Sequence, residues 1–254
     1  MRCLQCSGGS VTVNLELLRA WGVRAQRVLY PSVCLLCRGP GQPAMDLCAA
    51  CQGDLPANRF CCPRCARSLP GDPDRVGRVP CGRCIRRPPA FDAGFGPLLY
   101  QAPVDRFVQR LKFQGRLVYG RLLAELLADA LIASGRREMP ECLVPVPLHP
   151  RRLRARGYNQ SQVIARHLGR RLGLPVIPDA VSRVRPTAPQ MGLTARDRRT
   201  NLRGAFVPGT RLEGATVALV DDVMTTGATV DEVARALREG GATRIEVWCA
   251  ARAQ

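Results

Sequence analysis

Residues 216–241 read TVALVDDVMTTGATVDEVARALREGG, and the order of side chains in this stretch decides the fold. After Thr216, the run Val217-Ala218-Leu219-Val220 is short, apolar and rich in β-branched residues, which predicts a buried parallel strand. Asp221 and Asp222 follow at once, then the small-residue loop Thr225-Thr226-Gly227-Ala228-Thr229. Val230, Val233, Ala234 and Leu237 recur at i, i+3, i+4 and i+7, so the next element is a helix with one apolar face. Gly240-Gly241 stops that helix where left-handed backbone is wanted. The expected order is strand, acidic turn, phosphate-sized loop and helix. It belongs to an α/β domain, a mostly parallel sheet with helices on both faces.

The chemistry of that order follows from the backbone. Open α/β sheets bind ligands in the crevice at the carboxyl ends of their strands. Successive free N–H groups in a tight loop, backed by a helix N-terminus, form an anion site. Gly227 permits close approach or positive φ, and the threonine hydroxyls add donors. Carboxylates just ahead of such a loop repel a phosphate; they suit sugar hydroxyls or a divalent cation held through water. A phosphate beside a vicinal diol describes a ribose 5-phosphate. The rival readings are an acidic pair that holds Mg²⁺ alone and an ordinary Thr-Thr-Gly turn. Each piece alone fits them; the whole string favours the sugar phosphate.

The chain has 254 residues, room for one ordinary domain and a small appendage. A composition 46% hydrophobic argues for a packed core. No apolar run approaches the ~20 residues needed to cross a bilayer. The opening, MRCLQCSGGSVTVNLELL, lacks an apolar segment of signal-peptide length, so the expected compartment is the cytoplasm. The formal charge is +18, from 38 basic and 20 acidic residues, and Lys112 is the sole lysine. Such an excess suits a polyanionic partner, nucleic acid or a polyphosphorylated substrate, although a solvated basic surface has the same composition.

Thirteen cysteines in such a chain are better metal ligands than disulfides. Cys34-x-x-Cys37 and Cys48-x-x-Cys51 make one pair of knuckles; Cys62-x-x-Cys65 and Cys81-x-x-Cys84 make another. The two-residue gap lets both thiolates of a knuckle reach one ion about 2.3 Å away, and two knuckles complete a tetrahedral Cys₄ site. Two structural zinc ions are expected, paired sequentially; interleaved pairing is the other arrangement the spacing allows. Cys61 adjoins Cys62 as a competitor. Cys142 and Cys249 lie in predicted strands and read as small buried hydrophobes. Cys3 and Cys6 stand without a second pair in an extension whose residues 14–28 fit one amphipathic helix. The expected division is an extension at 1–30, a double ribbon at 31–87 and the α/β domain at 88–254, joined at Arg86-Arg87-Pro88-Pro89.

Two further stretches carry charge in useful places. Residues 143–160, LVPVPLHPRRLRARGYNQ, run from an apolar strand through three prolines into clustered arginines. A rigid loop bearing guanidinium groups suits a pyrophosphate, which needs several bidentate donors. His149 within it reads as a satisfied surface histidine when taken alone, and Asn159 or Ser161 caps the helix that follows. Residues 185–201, RPTAPQMGLTARDRRTN, are polar and aperiodic, with Arg185, Gln190, Arg196, Arg198 and Arg199 along them. That is the pattern of a lid over phosphates, with a solvated basic loop as its rival.

Taken with its neighbours, the central string resembles the phosphoribosyl pyrophosphate (PRPP) motif of type I phosphoribosyltransferases. Two knuckle pairs, PVPLHPRRLRARGYNQ, APQMGLTARDRRTNLRGAF and LVDDVMTTGATVDE together resemble the ComF family of competence-related proteins, over roughly residues 30 to 250. The resemblance implies a transferase-like fold behind a zinc-binding module and a link to uptake of external DNA. It implies that Asp221 and Asp222 hold the ribose hydroxyls and that Thr225, Thr226, Gly227, Ala228 and Thr229 wrap the 5-phosphate. Pro147 to Arg152 would match the pyrophosphate loop, with Pro147, Leu148, His149 and Arg151 as its binding residues, and Arg185 to Asn201 would match the flexible loop. The implied reaction is Mg²⁺-dependent phosphoribosyl transfer to an unnamed acceptor. The competing expectation is a non-enzymatic protein that holds single-stranded DNA on its ribbon and arginine-rich surfaces, as part of the competence machinery. One departure stands out: Ala66 occupies a knuckle position where the family has glycine.

Overall fold

The structure, a computed structural model, describes residues 32–70, 79–185 and 202–254, and its contacts divide the chain between Gly53 and Asp54. The Cys3/Cys6 pair, the helix expected at 14–28 and residues 186–201 of the basic stretch lie outside the described residues.

In the first unit the chain turns tightly around Cys34. Arg38 N–H donates to Cys34 O (3.0 Å) and Cys34 N–H to Gly39 O (2.8 Å), with Arg38 left-handed at φ 68°. Helix α1, Ala49–Gly53, then carries Cys51. Gln42 Nε2 donates to Leu47 O (3.1 Å) and to Gln52 Oε1 (2.7 Å), holding the two knuckles together.

The second unit opens with the same turn. Ala66 N–H donates to Cys62 O (2.8 Å) and Cys62 N–H to Arg67 O (2.9 Å). Ala66 takes φ 53°, so the alanine adopts the left-handed backbone that glycine adopts freely, at roughly 1–2 kcal/mol. Asn58 Nδ2 steadies it by donating to Ala66 O and Gly96 O, each at 2.8 Å. Helix α2, Gly82–Arg86, carries Cys84.

Beyond the ribbon come strands β1 (Ala93–Phe95), β2 (Leu98–Leu99), β3 (Cys142–Pro145), β4 (Val181–Arg183), β5 (Phe206–Pro208), β6 (Thr216–Met224) and β7 (Arg244–Arg252). The helices are α3 (Val104–Gln114), α4 (Val118–Ala133), α5 (Pro150–Arg156), α6 (Gln160–Leu172) and α7 (Ala228–Glu239). Five strands form one parallel sheet in the order β1-β7-β6-β3, with β2 continuing alongside β7. β4 and β5 form a separate antiparallel pair. The fold is the expected one, a parallel sheet flanked by helices.

Period two along each strand sorts side chains onto the two faces. Val217 and Leu219 of β6, Val247 and Cys249 of β7 and Val144 of β3 share one core with Val230, Val233, Ala234 and Leu237 of α7. Cys62, Cys65 and Cys84 belong to that same core, so the second cysteine group is packed against the sheet. Toward the other face, Leu143 approaches Gly169 of α6, and Gly120 of α4 meets Val163 of α6 so closely that a Cβ there would lie 2.6 Å from Val163 Cγ1.

Three local expectations change. β6 does not stop at Val220; it runs through Asp221 and Asp222 to Met224, because pairing with β7 continues to Arg252. The carboxylates therefore project from a strand and not from a turn. Residues 174–177, LPVI, are apolar enough to suggest a short strand, yet they contribute one parallel bridge, Leu143 to Val176. At the end of α7 the left-handed residue is Gly241, at φ 98°, whereas Gly240 stays near φ −80°.

The ribbon's seat on β1 depends on a missing side chain. Gly94 N–H donates to Pro63 O (3.0 Å), and a Cβ on Gly94 would lie 2.8 Å from Arg64 O. Gly94→Ala should push the knuckle off β1 and cost about 1–3 kcal/mol, lowering the melting temperature by several degrees. Gly53→Ala, where no atom lies within 4 Å of the new methyl, should cause no such loss.

Candidate functional site

β3 and β6 run in register with Pro145 opposite Val220, and Val146 N–H donates to Val220 O (2.9 Å). Residues 146–152 and 225–229 therefore leave neighbouring strands at the same carboxyl edge, with Asp221 and Asp222 among the last residues of β6. That is where open parallel sheets place their ligands.

Asp221 is 9% exposed and Asp222 2% exposed. Asp221 Oδ1 accepts from Ser161 Oγ, at the start of α6, and from the Asp222 N–H, both at 2.9 Å. Asp222 Oδ1 accepts from the Val223 N–H (2.7 Å), and Lys112 Nζ lies 2.7 Å from Asp222 Oδ2. Burial, and then the charge of Asp222, push Asp221 up to about 7, while Lys112 and Ser161 oppose the rise. Burial disfavours the Lys112 ammonium, but its attraction to Asp222 wins and holds it above the ordinary lysine value. Asp221 Oδ2 accepts no hydrogen bond among the described residues, which leaves it open to a hydroxyl or a cation.

The loop after β6 presents amides. Gly227 sits at φ 80° and caps α7. The N–H groups of Thr225, Thr226 and Gly227 have no acceptor among the described residues, whereas the Ala228 N–H turns inward to Thr226 Oγ1 at 3.3 Å. A small hollow there is lined by Asp221, Thr225, Gly227, Ala228 and Thr229. A larger cavity, about 630 Å³, meets the loop between Arg83, Phe91 and Arg235 and is not lined by Asp221 or Asp222.

The prolines of 145–150 give way to α5. Pro147 and Leu148 lead in, and His149 is buried rather than on the surface: its Nδ1 accepts the Arg151 N–H (3.2 Å), capping the helix. Burial first, then the guanidinium groups of Arg183 and Arg151, hold His149 below the ordinary histidine value. Arg151 is exposed on α5. Arg185 is also exposed and donates to Arg203 O (3.1 Å). Of the two candidate caps for α6, Asn159 is the one used, its Oδ1 accepting the Ser161 N–H (3.0 Å) while its Nδ2 donates to Val146 O (2.9 Å).

The cysteines gather sequentially. Cys34, Cys37, Cys48 and Cys51 form one group, and Cys62, Cys65, Cys81 and Cys84 the other, with the sulfurs of each within 4.8 Å of one another. Cys37–Cys48 and Cys65–Cys81 are each 3.8 Å apart, the edge of a tetrahedron with metal–sulfur bonds of about 2.3 Å. Within the first group the shifts oppose one another: burial raises Cys34 but knuckle N–H groups outweigh it and bring it down to about 6, whereas hydrogen bonding to the Cys48 sulfur pushes Cys51 up to about 12. Cys61 joins neither group. Cys142 and Cys249 are buried in the core, as expected.

Three contributors carry little signal in the sequence. Lys112 carries one, that it is the sole lysine among 38 basic residues. Ser161 reads only as a cap, and its contact with Asp221 depends on how α6 meets β6. Arg252 reads as the exposed end of a strand, yet it is 1% exposed and its guanidinium is spent on backbone carbonyls.

Residues 25–85 match the family described as a double zinc ribbon domain, and residues 159–254 match the phosphoribosyl transferase domain. The chain is thus a phosphoribosyltransferase-fold protein with a double zinc ribbon ahead of it. It is 35% identical over 226 residues to DNA utilization protein YhgH of Salmonella typhimurium, covering 87% of this chain and 97% of that protein. It is 37% identical over 227 residues to competence protein F of Haemophilus influenzae, covering 87% and 96%. The chain belongs to the ComF family. Competence protein ComFC of Streptococcus pneumoniae is 26% identical over 153 residues, covering 59% of this chain and 63% of that protein. Among solved structures, the glutamine PRPP amidotransferase of B. subtilis aligns at 21% identity and TM-score 0.35, over 52% of this chain and 26% of that one. The purine phosphoribosyltransferase of Pyrococcus horikoshii aligns at 21% and 0.33, over 50% and 71%.

Lys112→Met leaves Asp222 buried with an uncompensated charge and should cost about 3 kcal/mol in urea unfolding. Adding Asp222→Asn should recover most of that loss, and additive costs would mean the two groups do not interact. Asp221 generates a second expectation. Between its ordinary 3.8 and about 7 the folded state keeps a proton that the unfolded chain releases, so stability falls as pH rises through that window. The stability of Asp221→Asn relative to the native chain should therefore grow from pH 4 to 7 and then level off.

Proposed function

We propose that this chain binds PRPP with Mg²⁺ and transfers its phosphoribosyl group, in the service of DNA use by the cell. The observation that carries the reading is the pairing of three unengaged loop amides with two buried carboxylates at the carboxyl edge of the central strand. The amides of Thr225, Thr226 and Gly227, with the hydroxyl of Thr229, take the 5-phosphate. Asp221, through its open Oδ2, and Asp222 hold the ribose hydroxyls, with Ser161 and Lys112 fixing the carboxylates. Arg151, at the start of α5, and Arg185 face the pyrophosphate that leaves C1 as the acceptor attacks. Their guanidinium groups stabilise the charge developing on it, and such stabilisation supplies most of the rate in reactions of this kind. Bound Mg²⁺ would neutralise further charge on the same diphosphate. Pro147 and Leu148 hold the backbone there, and His149 acts through its cap. Two structural zinc ions complete the ribbon at 31–87 ahead of the transferase-like domain at 88–254, and the thiolate chemistry suits a reducing cytoplasm.

A second reading is that the chain holds single-stranded DNA; relatives named for DNA utilization and competence are in keeping with it. One exposed feature fits it: Phe113 is 76% exposed, with the Arg156 guanidinium 5.7 Å from its ring centre beside the arginines of α5. An aromatic face among cations is how proteins hold single strands.

Calorimetry with PRPP and Mg²⁺ should find binding to the native chain and at least a tenfold loss in Asp222→Asn, worth about 1.4 kcal/mol. Equal binding by both removes the ribose assignment. Release of pyrophosphate in the presence of an acceptor distinguishes transfer from binding alone. Single-stranded DNA affinity that falls steeply with salt, and falls again in Phe113→Ala, would support the second reading.

A further inference from the structure

Three successive carbonyls at the end of β6 are held by side chains from outside the loop. Met224 O accepts from Arg252 Nη1 (2.8 Å) and from the Ala253 N–H (3.1 Å). Thr225 O accepts from the same Arg252 Nη1. Thr226 O accepts from Arg83 Nη2 (2.8 Å). Arg252 is in turn fixed by its Nε, which donates to Cys65 O at 2.9 Å. Arg83 lies in α2, between Cys81 and Cys84.

A trans peptide unit is planar, and its C=O and N–H point in opposite directions. The carbonyl of Met224 shares its plane with the N–H of Thr225, that of Thr225 with the N–H of Thr226, and that of Thr226 with the N–H of Gly227. Holding the three carbonyls toward Arg252 and Arg83 therefore turns those three N–H groups away from these two side chains. They are the three amides that find no acceptor among the described residues. Gly227 has the conformational freedom to let the Thr226–Gly227 peptide plane flip, so the bond from Arg83 to Thr226 O is what fixes that plane.

We propose that Arg252 and Arg83 are positioning residues that aim the amides of Thr225, Thr226 and Gly227 at the ligand's phosphate. The second cysteine group, which sets the places of Cys65 O and Arg83, is then part of the phosphate site and not only a fold element. This inference rests on the reading of the loop as the 5-phosphate site.

The test uses the full zinc-loaded chain and ribose 5-phosphate as probe, followed by calorimetry and by the phosphate-induced shift of the Gly227 amide resonance. Arg83→Ala should weaken binding about tenfold and shrink that shift, with unchanged melting temperature and zinc content. Arg83→Lys, which keeps one donor within reach, should recover part of both. Arg252→Lys keeps the charge but cannot serve Cys65 O and the two loop carbonyls together, so it should also lose affinity. Affinity within twofold of the native chain in Arg83→Ala, with the Gly227 shift intact, overturns the proposal while leaving the phosphate reading in place. Failure of the native chain to bind ribose 5-phosphate overturns both.

Discussion

Two adjacent carboxylates at the end of a strand with almost no exposed surface cannot both be charged without help, and much of this molecule supplies that help. β6 is buried along most of its length, so Asp221 and Asp222 leave the core directly into their site. In a medium of low dielectric the second charge costs far more than the first. The fold answers asymmetrically. Asp222 receives a full cation, the Lys112 ammonium brought by the end of α3. Asp221 receives neutral donors only, a hydroxyl from α6 and a backbone amide, and its affinity for protons rises. The pair is thereby divided into one carboxylate locked to the protein and one with an oxygen still open.

That division explains why helices from the same side of the sheet converge on one strand end. α3 delivers Lys112, and α6 delivers Ser161 with its own amide already capped by Asn159. Asn159 also ties α6 to Val146 at the start of the neighbouring loop, so a single residue sets the spacing of two site segments. Gly120 allows α4 to approach α6 where a methyl would clash, which keeps α6 pressed toward the sheet. Packing far from the carboxylates thus sets where their partners stand.

What was legible in the sequence was whatever one local period could carry. The apolar run of β6, the i, i+3, i+4, i+7 face of α7 and the cysteine spacing each repeat within a few residues, and each forms as read. The extension of β6 through its aspartates was hidden, because two charged residues look like the end of a buried strand. Only the neighbouring strand β7, paired as far as Arg252, keeps the backbone extended there. Lys112 and Arg252 were hidden for a related reason. A long cationic side chain near the end of an element reads as solvated, and only the packing of distant segments shows that its head is enclosed. His149 was obscured the same way: the prolines around it suggest a surface loop, whereas the ring is folded under the helix it caps.

Arginine at position 252 is also hard to replace by another cation. Its guanidinium bonds to Cys65 O with one nitrogen and to Met224 O and Thr225 O with another, a spread that needs a planar fork. Lysine would bring the same charge on a point donor that cannot reach Cys65 O and Thr225 O together, so one of them would lose its Arg252 bond, at about 1–3 kcal/mol. The carbonyls served belong to a knuckle and to a loop that are remote in sequence, and both are backbone. Side-chain changes at Met224 or Thr225 therefore leave the tie intact, whereas a shift of the knuckle cannot. Because Gly94 and Ala66 already hold that knuckle in tight contact with β1, the second cysteine group has little freedom to move without carrying the loop with it.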